Sequence, residues 1–555
     1  MPKAERSVQC DVLVVGAGAA GLTAAIEARS RSAAVAVACK GKAGRSGNTV
    51  VAASQFSAVI PYEGSEDSPE RHFLDSLTGG RGINDETLLR LFVDQAGPRL
   101  LEAEQRGVKL LRSNGELVRR TPPGHSQPRG IPVDNGAFPM TIGGLSITLP
   151  LRATADRMGV KFLDESPVLK LARMDGEIRG ALAVDLAGEE LVAVQAGAVV
   201  VAAGGAGRIF VRTNNTRDIC GDSYGLMLDA GTALRDMEFV QFYPSQLTTP
   251  FKAVAISSLF GDGAVLRNRH GERFMPAYDP VNEDRATRDV MSQAIFYEIQ
   301  KGNGIEGEVY MDCTAVAEEV LQKKYFGLVR DLRKQGVDPA RDWLKIAPTT
   351  HFMMGGAVVD ERCRTTVPGL FAAGEAAGGV HGANRLGGNA LSETLVLGSV
   401  AGEAAAKYAL KEAAMPPAPV GWELPPDGGD GIELLDEVRR ELRKAMWDGA
   451  SIVRSGESLR SALATVRACA AEPGRCSADS AAEMARVEET RLMCLTAESV
   501  VLSAIARQES RGAHFREDFP SSSERWLGSN LVRLAGGELH LEFVPKQGTG
   551  VRGRG

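Results

Sequence analysis

The sequence predicts an α/β protein: a Rossmann-like dinucleotide-binding domain, an inserted α+β domain and a C-terminal helical bundle. Three observations carry this. A Val-rich strand near the N-terminus runs into a Gly-x-Gly-x-x-Gly turn and then a helical stretch. The same strand-then-glycine texture returns at 367–375, after an excursion of different composition. Apolar residues at helical spacing follow a Pro- and Gly-rich linker.

Residues 12–15 form the first strand, Gly16, Gly18 and Gly21 the turn, and 22–29 the helix. The first glycine allows a tight turn, the second lets backbone approach a pyrophosphate, and the third lets helix pack on strand. The N-terminus of that helix, beside Ala19, offers free N–H groups and a positive dipole end to that anion. A second strand spans 35–39 and ends in Cys39 and Lys40, without the ribose-binding acid often found there. Residues 85–107 read as a helix, and 112–150, rich in Pro, Gly and Ser, as a long irregular segment of the kind that often carries function. Residues 160–203 alternate strand-like runs with glycine turns and end in Ala203, Gly204 and Gly205, a second nucleotide-facing turn. The linker, 413–431, holds five prolines and four glycines. Beyond it, Leu434, Leu435, Val438, Leu442, Ala445 and Met446 begin the first of three amphipathic helices, the others lying near 457–471 and 481–508. The expected organisation is 1–244 and 348–412 for a discontinuous nucleotide domain, 245–347 for the insertion, 432–520 for the bundle and 521–555 for a tail.

Composition narrows the function. With 44% hydrophobic and 24% charged residues, the chain is an ordinary globular protein. A net charge of −6 without a basic stripe gives no reason to expect nucleic acid. No apolar run approaches the roughly 20 residues of a membrane span, and no secretory leader is evident, which places the chain in the cytoplasm. Of eight cysteines, none form a CxxC pair; the closest, Cys469 and Cys476, are too far apart for the usual ligand clip. No metal site is therefore expected, and any long electron path continues in another polypeptide.

Several motifs together resemble the flavoprotein subunits of succinate dehydrogenase and fumarate reductase, a superfamily that includes L-aspartate oxidase. They are DVLVVGAGAAGLTAA, VVVAAGGAGRIF, GDSYGLMLDAGTALRDMEFVQFYP, GERFMPAYDP with DRATRDV, THFMMGG, GLFAAGEAAGGVHGANRLGGNALSET and AIARQESRGAHFREDFP, in the family's order from residue 11 to 520. The resemblance implies an FAD-binding domain, a capping domain over the flavin and a C-terminal helical domain. It implies FAD contacts at the glycine turn, Lys40, Ser46, Gly47, Asn48, Thr49, Ala203, Gly204, Asp222, Glu375, Ala390 and Leu391. Succinate dehydrogenases attach FAD through a histidine in a Ser-His-Thr stretch; Arg45-Ser46-Gly47-Asn48-Thr49 has none here, so noncovalent FAD is expected. The resemblance also allows a separate iron–sulfur partner, and through it a place at the inner membrane.

Moving a hydride to or from a carbon near a carboxylate requires a proton at the neighbouring carbon and stabilisation of the charge that develops. The resemblance assigns proton transfer to Arg288, and carboxylate binding to His351 and Arg385. The other half of the family's pocket departs from its pattern. Tyr243 stands for the FHPT histidine, and Ile256, Ser257 and Phe260 for the Thr, Glu and Arg of TEGxRGEGG. A second carboxylate there would be buried without a countercharge. A monocarboxylate with an apolar tail is therefore expected in place of succinate or fumarate. PGHSQPRGI resembles a stretch of aspartate oxidase, but Pro122 and Pro123 stand where that family has an acid for the substrate amine. The ESRGAH stretch, 509–514, is expected to dock the helical domain, and His381 to lie at the substrate pocket.

Overall fold

The computed structural model describes residues 6–52, 55–136, 138–254, 257–412 and 432–546. Strand Arg6–Val15 pairs in parallel with Val35–Ala38 on one side and Glu190–Val201 on the other, with Val12 opposite Val35 and Ala198. Lys161–Leu163 and Leu370–Ala372 extend the parallel part, and the antiparallel pair Val168–Met174 and Glu177–Asp185 completes a seven-stranded sheet. Both faces of the parallel strands are covered, which explains why 12–15 and 198–201 read as unbroken apolar runs. Helices Ala19–Arg29 and Asn389–Glu412 pack directly on one another beside the sheet. Gly398 and Gly402 permit this: a Cβ there would lie 2.6 and 2.2 Å from the carbonyl oxygens of Ala20 and Ala24.

A second hydrophobic core gathers Leu247, Phe260, Met291, Met311, Leu328 and Ile346. Two long antiparallel strands, Val240–Leu247 and Leu344–Met353, join the cores. Val240 pairs with Met353 in the larger core, and Leu247 with Ile346 in the smaller. Residues midway along these strands, among them Gln241, Tyr243 and His351, therefore stand at the junction of two bodies, where clefts form.

Helix Leu145–Arg157 begins inside the segment read as irregular and holds Pro150 in its interior, where the missing N–H forgoes one intrahelical bond. The C-terminal helices are Glu433–Ala450, Gly456–Ala471 and Ala481–Ala506, the last two opened by capping boxes at Ser455 and Ser480. Of the expected tail, the described residues 521–546 are ordered against the rest of the chain. Strands Gly528–Ala535 and Glu538–Pro545 form a hairpin whose first strand pairs with Leu234–Arg235. The Gly536-Gly537 pair, both at positive φ, makes the turn that twisted hairpins favour. The linker 413–431 and the Arg-Gly end lie outside the described residues. No helix among the described residues is long and apolar enough to cross a membrane.

The ESRGAH stretch lies between bundle and sheet. Arg507 pairs with Glu238 at 2.5 Å and Glu509 at 2.9 Å, while Arg454 donates to the Glu238 carbonyl and to His514 Nδ1, both at 2.7 Å. These groups line neither of the cavities described below.

Candidate active site

A groove opens at the carboxyl ends of the parallel strands, where ligands of such sheets bind. Gly16 has φ +105°, and a Cβ on it would lie 2.4 Å from the Ala202 carbonyl oxygen; a Cβ on Gly21 would lie 1.9 Å from Gly16 O. The turn is thus pressed against the Ala202–Ala203 backbone in a way only glycine permits. Helix Ala19–Arg29 starts at Gly18 with no side-chain cap, leaving a helix N-terminus facing the groove. Gly16, Gly18, Ala19, Lys40, Ser46, Gly47, Asn48, Thr49, Ala203, Gly204, Asp222 and Glu375 all line it. Gly21 does not; its role is the helix–turn contact. Ala390 and Leu391 line the adjoining cavity instead.

Two of these residues are held by the protein itself. Lys40 Nζ lies 2.8 Å from the Asp222 carboxylate and 2.5 Å from Glu489, and donates to the Asp218 carbonyl at 3.2 Å. Burial opposes its charge, but the two carboxylates outweigh burial and hold the ammonium protonated. Glu489 and Arg439, from the bundle, complete the cluster, so the bundle locks the end of the second strand. Glu375 accepts from the Met353 N–H at 3.0 Å, and burial pushes its carboxyl up to about 7.

The groove continues into a cavity of about 220 Å³, with Asn48, Thr49, Glu375 and Thr394 lining both. Arg288, at the start of helix Arg288–Gln300, reaches in from the cap; His351 comes from the long strand Leu344–Met353, and Arg385 from the loop before helix Asn389–Glu412. Buried behind the two arginines, outside the cavity lining, is a residue the motifs did not single out. The amide oxygen of Gln241 accepts from Arg385 Nη2 at 2.9 Å, Arg385 Nε at 3.2 Å and Arg288 Nη1 at 3.4 Å. Its amide nitrogen donates to Asn384 Oδ1 and the Arg385 carbonyl, which fixes its orientation. Arg288 lies over the Tyr243 ring and Arg385 over Phe352, at 4.9 and 4.6 Å. Among the described residues neither guanidinium has a carboxylate partner.

The charges perturb one another. Burial, reinforced by Arg288, pushes Arg385 down to about 9, and burial lowers Arg288 as well. Burial, followed by the fields of Arg385 and Arg288, holds His351 well below the ordinary imidazole range, so its ring is neutral. Its Nδ1 is within 3.1 Å of the Asn214 amide, and its ring is 5.2 Å from that of Tyr243. The Tyr243 oxygen lies 2.6 Å from Ser257 Oγ and accepts from the Ser257 N–H at 3.0 Å.

Two expected pocket residues lie elsewhere, and a third lies outside the described residues. Phe260 is turned by the short helix Ser258–Gly261 into the core of the cap, leaving Ser257 and Ser258 at the cavity. His381 packs against Phe352 and Phe92 and bonds Glu393 at 2.9 Å; left-handed Gly382 turns the chain between it and Arg385. Ile256 is the third. The apolar wall is made instead by Pro122 and Pro123 from the segment read as irregular, Val254 from the short strand Ala253–Val254 and Phe352 from the long strand Leu344–Met353. Arg120 and Gln55 also line the cavity, and no motif pointed to either. The signal for Gln241 was present: in a strand it shares a face with Tyr243, two residues on.

A glycine-pressed groove at the end of a parallel sheet, opening into a cation-lined cavity under a cap, defines a flavin-dependent oxidoreductase. The family model described as "FAD binding domain" matches residues 11–391, and that of "Fumarate reductase flavoprotein C-term" matches 439–551. The chain belongs to the succinate dehydrogenase and fumarate reductase flavoprotein superfamily, and its cofactor is FAD. It is 37% identical to a subunit of the fumarate reductase (CoM/CoB) of Methanothermobacter marburgensis, covering 94% of this chain and 97% of that one. It is 33% identical to the fumarate reductase flavoprotein subunit of Escherichia coli, over 97% of this chain and 94% of that one. A solved quinol-fumarate reductase chain superposes with a TM-score of 0.86 at 30% identity, covering 98% of this chain and 99% of that one.

Proposed function

We propose that the enzyme reduces, or in reverse forms, a carbon–carbon double bond beside a carboxylate, with noncovalent FAD and with a substrate other than fumarate as its best. The carrying observation is the pair of buried guanidiniums, Arg288 and Arg385, that share the Gln241 amide oxygen in a cavity continuous with the cofactor groove. Two buried cations without a carboxylate partner call for an anion from the substrate.

FAD, when bound, supplies the hydride. Arg385, a planar fork suited to carboxylate, holds the substrate's acid group, and neutral His351 donates a hydrogen bond beside it. As a hydride adds to the β carbon, charge grows on the α carbon and carboxylate, where Arg385 stabilises it. Arg288 delivers a proton to the α carbon; burial, by lowering its proton affinity, makes an arginine usable for this. Tyr243 and Ser257, which stand where the resemblance places groups for a second carboxylate, line the cavity as a bonded pair of uncharged hydroxyls. The names of relatives as flavoprotein subunits support a place in a multi-subunit assembly, and we propose that electrons pass between the flavin and a separate iron–sulfur chain there.

The test is anaerobic. The flavin is photoreduced and its reoxidation followed on adding fumarate or a branched or aromatic 2-enoate. Fast return of the oxidised band with the 2-enoate and slow return with fumarate supports the reading; equal or faster return with fumarate overturns the substrate assignment. Acid precipitation that leaves flavin on the protein would overturn noncovalent binding.

A further inference from the structure

Arg120 is a third cation lining the cavity, and it stands apart from the other two. Its backbone is fixed by paired hydrogen bonds with Gly130, at 2.8 and 2.9 Å. Its guanidinium makes a 3.4 Å contact with the Lys324 carbonyl in the cap, and no ion pair among the described residues. Asp262, the acid on that side of the cap, is already engaged by Lys324 at 2.7 Å and by the Tyr325 hydroxyl at 2.5 Å. Burial lowers the Arg120 guanidinium, and the Tyr325 hydroxyl is the nearby group that opposes this.

The chain fixes where it lies. A Cβ on Gly387 would lie 3.2 Å from Pro122 and 3.5 Å from Arg288, so Pro122 is beside the Arg288 guanidinium. Arg120 is two residues back along the chain, at most roughly 7 Å from Pro122 between Cα atoms, and its guanidinium reaches the Lys324 carbonyl of the cap. It faces Tyr325, whose hydroxyl lies 3.1 Å from Ser258 Oγ, and Ser258 also lines the cavity. The cavity thus runs from the Arg385 clamp, past Pro122, Pro123 and Tyr243, to an unpaired guanidinium at the rim between the two domains.

We propose that Arg120 binds a second anionic group of the substrate, farther from the clamped carboxylate than in fumarate. The substrate class is then an enoate with an apolar spacer and a distal carboxylate. This rests on the reading of the head of the cavity given above, and it replaces the uncharged apolar tail expected from the sequence with an apolar spacer that ends in a charge.

The experiment is a binding titration of the FAD-loaded enzyme, read by the perturbation of the oxidised flavin band, which needs no turnover. Glutarate and adipate are compared with butyrate and hexanoate, in wild type, Arg120→Gln and Arg120→Lys. Wild type should bind adipate about tenfold or more tighter than hexanoate, as a partly buried charge-assisted pair allows. Arg120→Gln should bring that ratio near one, and Arg120→Lys should restore part of it. A wild-type ratio near one, or a ratio that persists in Arg120→Gln, overturns the assignment. Reoxidation of reduced flavin by hex-2-enedioate is then measured separately. Tight diacid binding without reoxidation would sink the proposed reaction and leave Arg120 as the anion site. Reoxidation with an Arg120-independent ratio would sink the anion site and leave the reaction.

Discussion

Gln241 offers the sharpest test of how the site is held together. Its amide oxygen is the shared acceptor for Arg288 and Arg385, and the depression of Arg385 to about 9 corresponds to a penalty of roughly 5 kcal/mol on its charged form. Gln241→Met removes the acceptor and keeps the volume. Two bonds from a buried cation are lost, each worth roughly 1.5–3 kcal/mol, so stability should fall by about 3–6 kcal/mol. The arginines should also drift, and a misplacement on the order of 1 Å costs about 100-fold in rate. Gln241→Glu does the reverse to the fold: a carboxylate between two unpaired guanidiniums relieves their repulsion and should raise the melting temperature. It should nevertheless cut kcat/KM at least as severely, because the protein's own anion then competes with the substrate's carboxylate. The assays are thermal unfolding followed by flavin fluorescence, and anaerobic stopped-flow reoxidation. Opposite shifts in stability with a shared loss of rate are expected. A Gln241→Met enzyme that melts and turns over like wild type would refute the idea that this amide organises the two arginines.

Three further outcomes follow from the geometry. Gly21→Ala should yield protein purified without flavin, measured as the ratio of 450 to 280 nm absorbance, since its Cβ would lie 1.9 Å from Gly16 O and displace the turn. In flavin-stripped protein, ionising Glu375 is disfavoured by folding, because its carboxyl rises to about 7 from an ordinary value near 4.5. Stability should therefore fall as pH rises from about 4.5 to 7 and level off above that, a change of about 3 kcal/mol. Glu375→Gln should lack that slope in urea titrations run across the range, and a parallel profile would contradict it. Lys40→Met strands Asp222 and Glu489 beside each other and should cost about 3–5 kcal/mol by chemical denaturation, with Glu489→Gln recovering part.

Legibility in the sequence tracked the range of the interaction. The glycine turn was readable because strand, turn and helix are contiguous, and each glycine answers a steric demand within a few residues or against one neighbouring strand. The bundle helices were readable because their buried faces recur at helical spacing. The hairpin at 528–545 carried its own signal, alternation around Gly536-Gly537, but on a half-exposed sheet edge whose partner, Leu234–Arg235, is almost 300 residues away. The cavity was hardest. Arg288, His351 and Arg385 were found through motifs, whereas Gln241 and Arg120 lie outside the positions those motifs weight. Phe260 and His381 were expected at the pocket from neighbourhood in sequence, and a single turn of helix and a left-handed glycine aim them elsewhere.

The sequence by itself determined the nucleotide-binding half of this protein, because backbone sterics and apolar periodicity are local and admit few alternatives. Only the tertiary structure decided the charge balance of the substrate cavity. Arg120, Gln241, Arg288, His351 and Arg385 come from five separate stretches of chain, and whether each guanidinium meets a carboxylate or is left for the substrate depends on where two domains close upon one another.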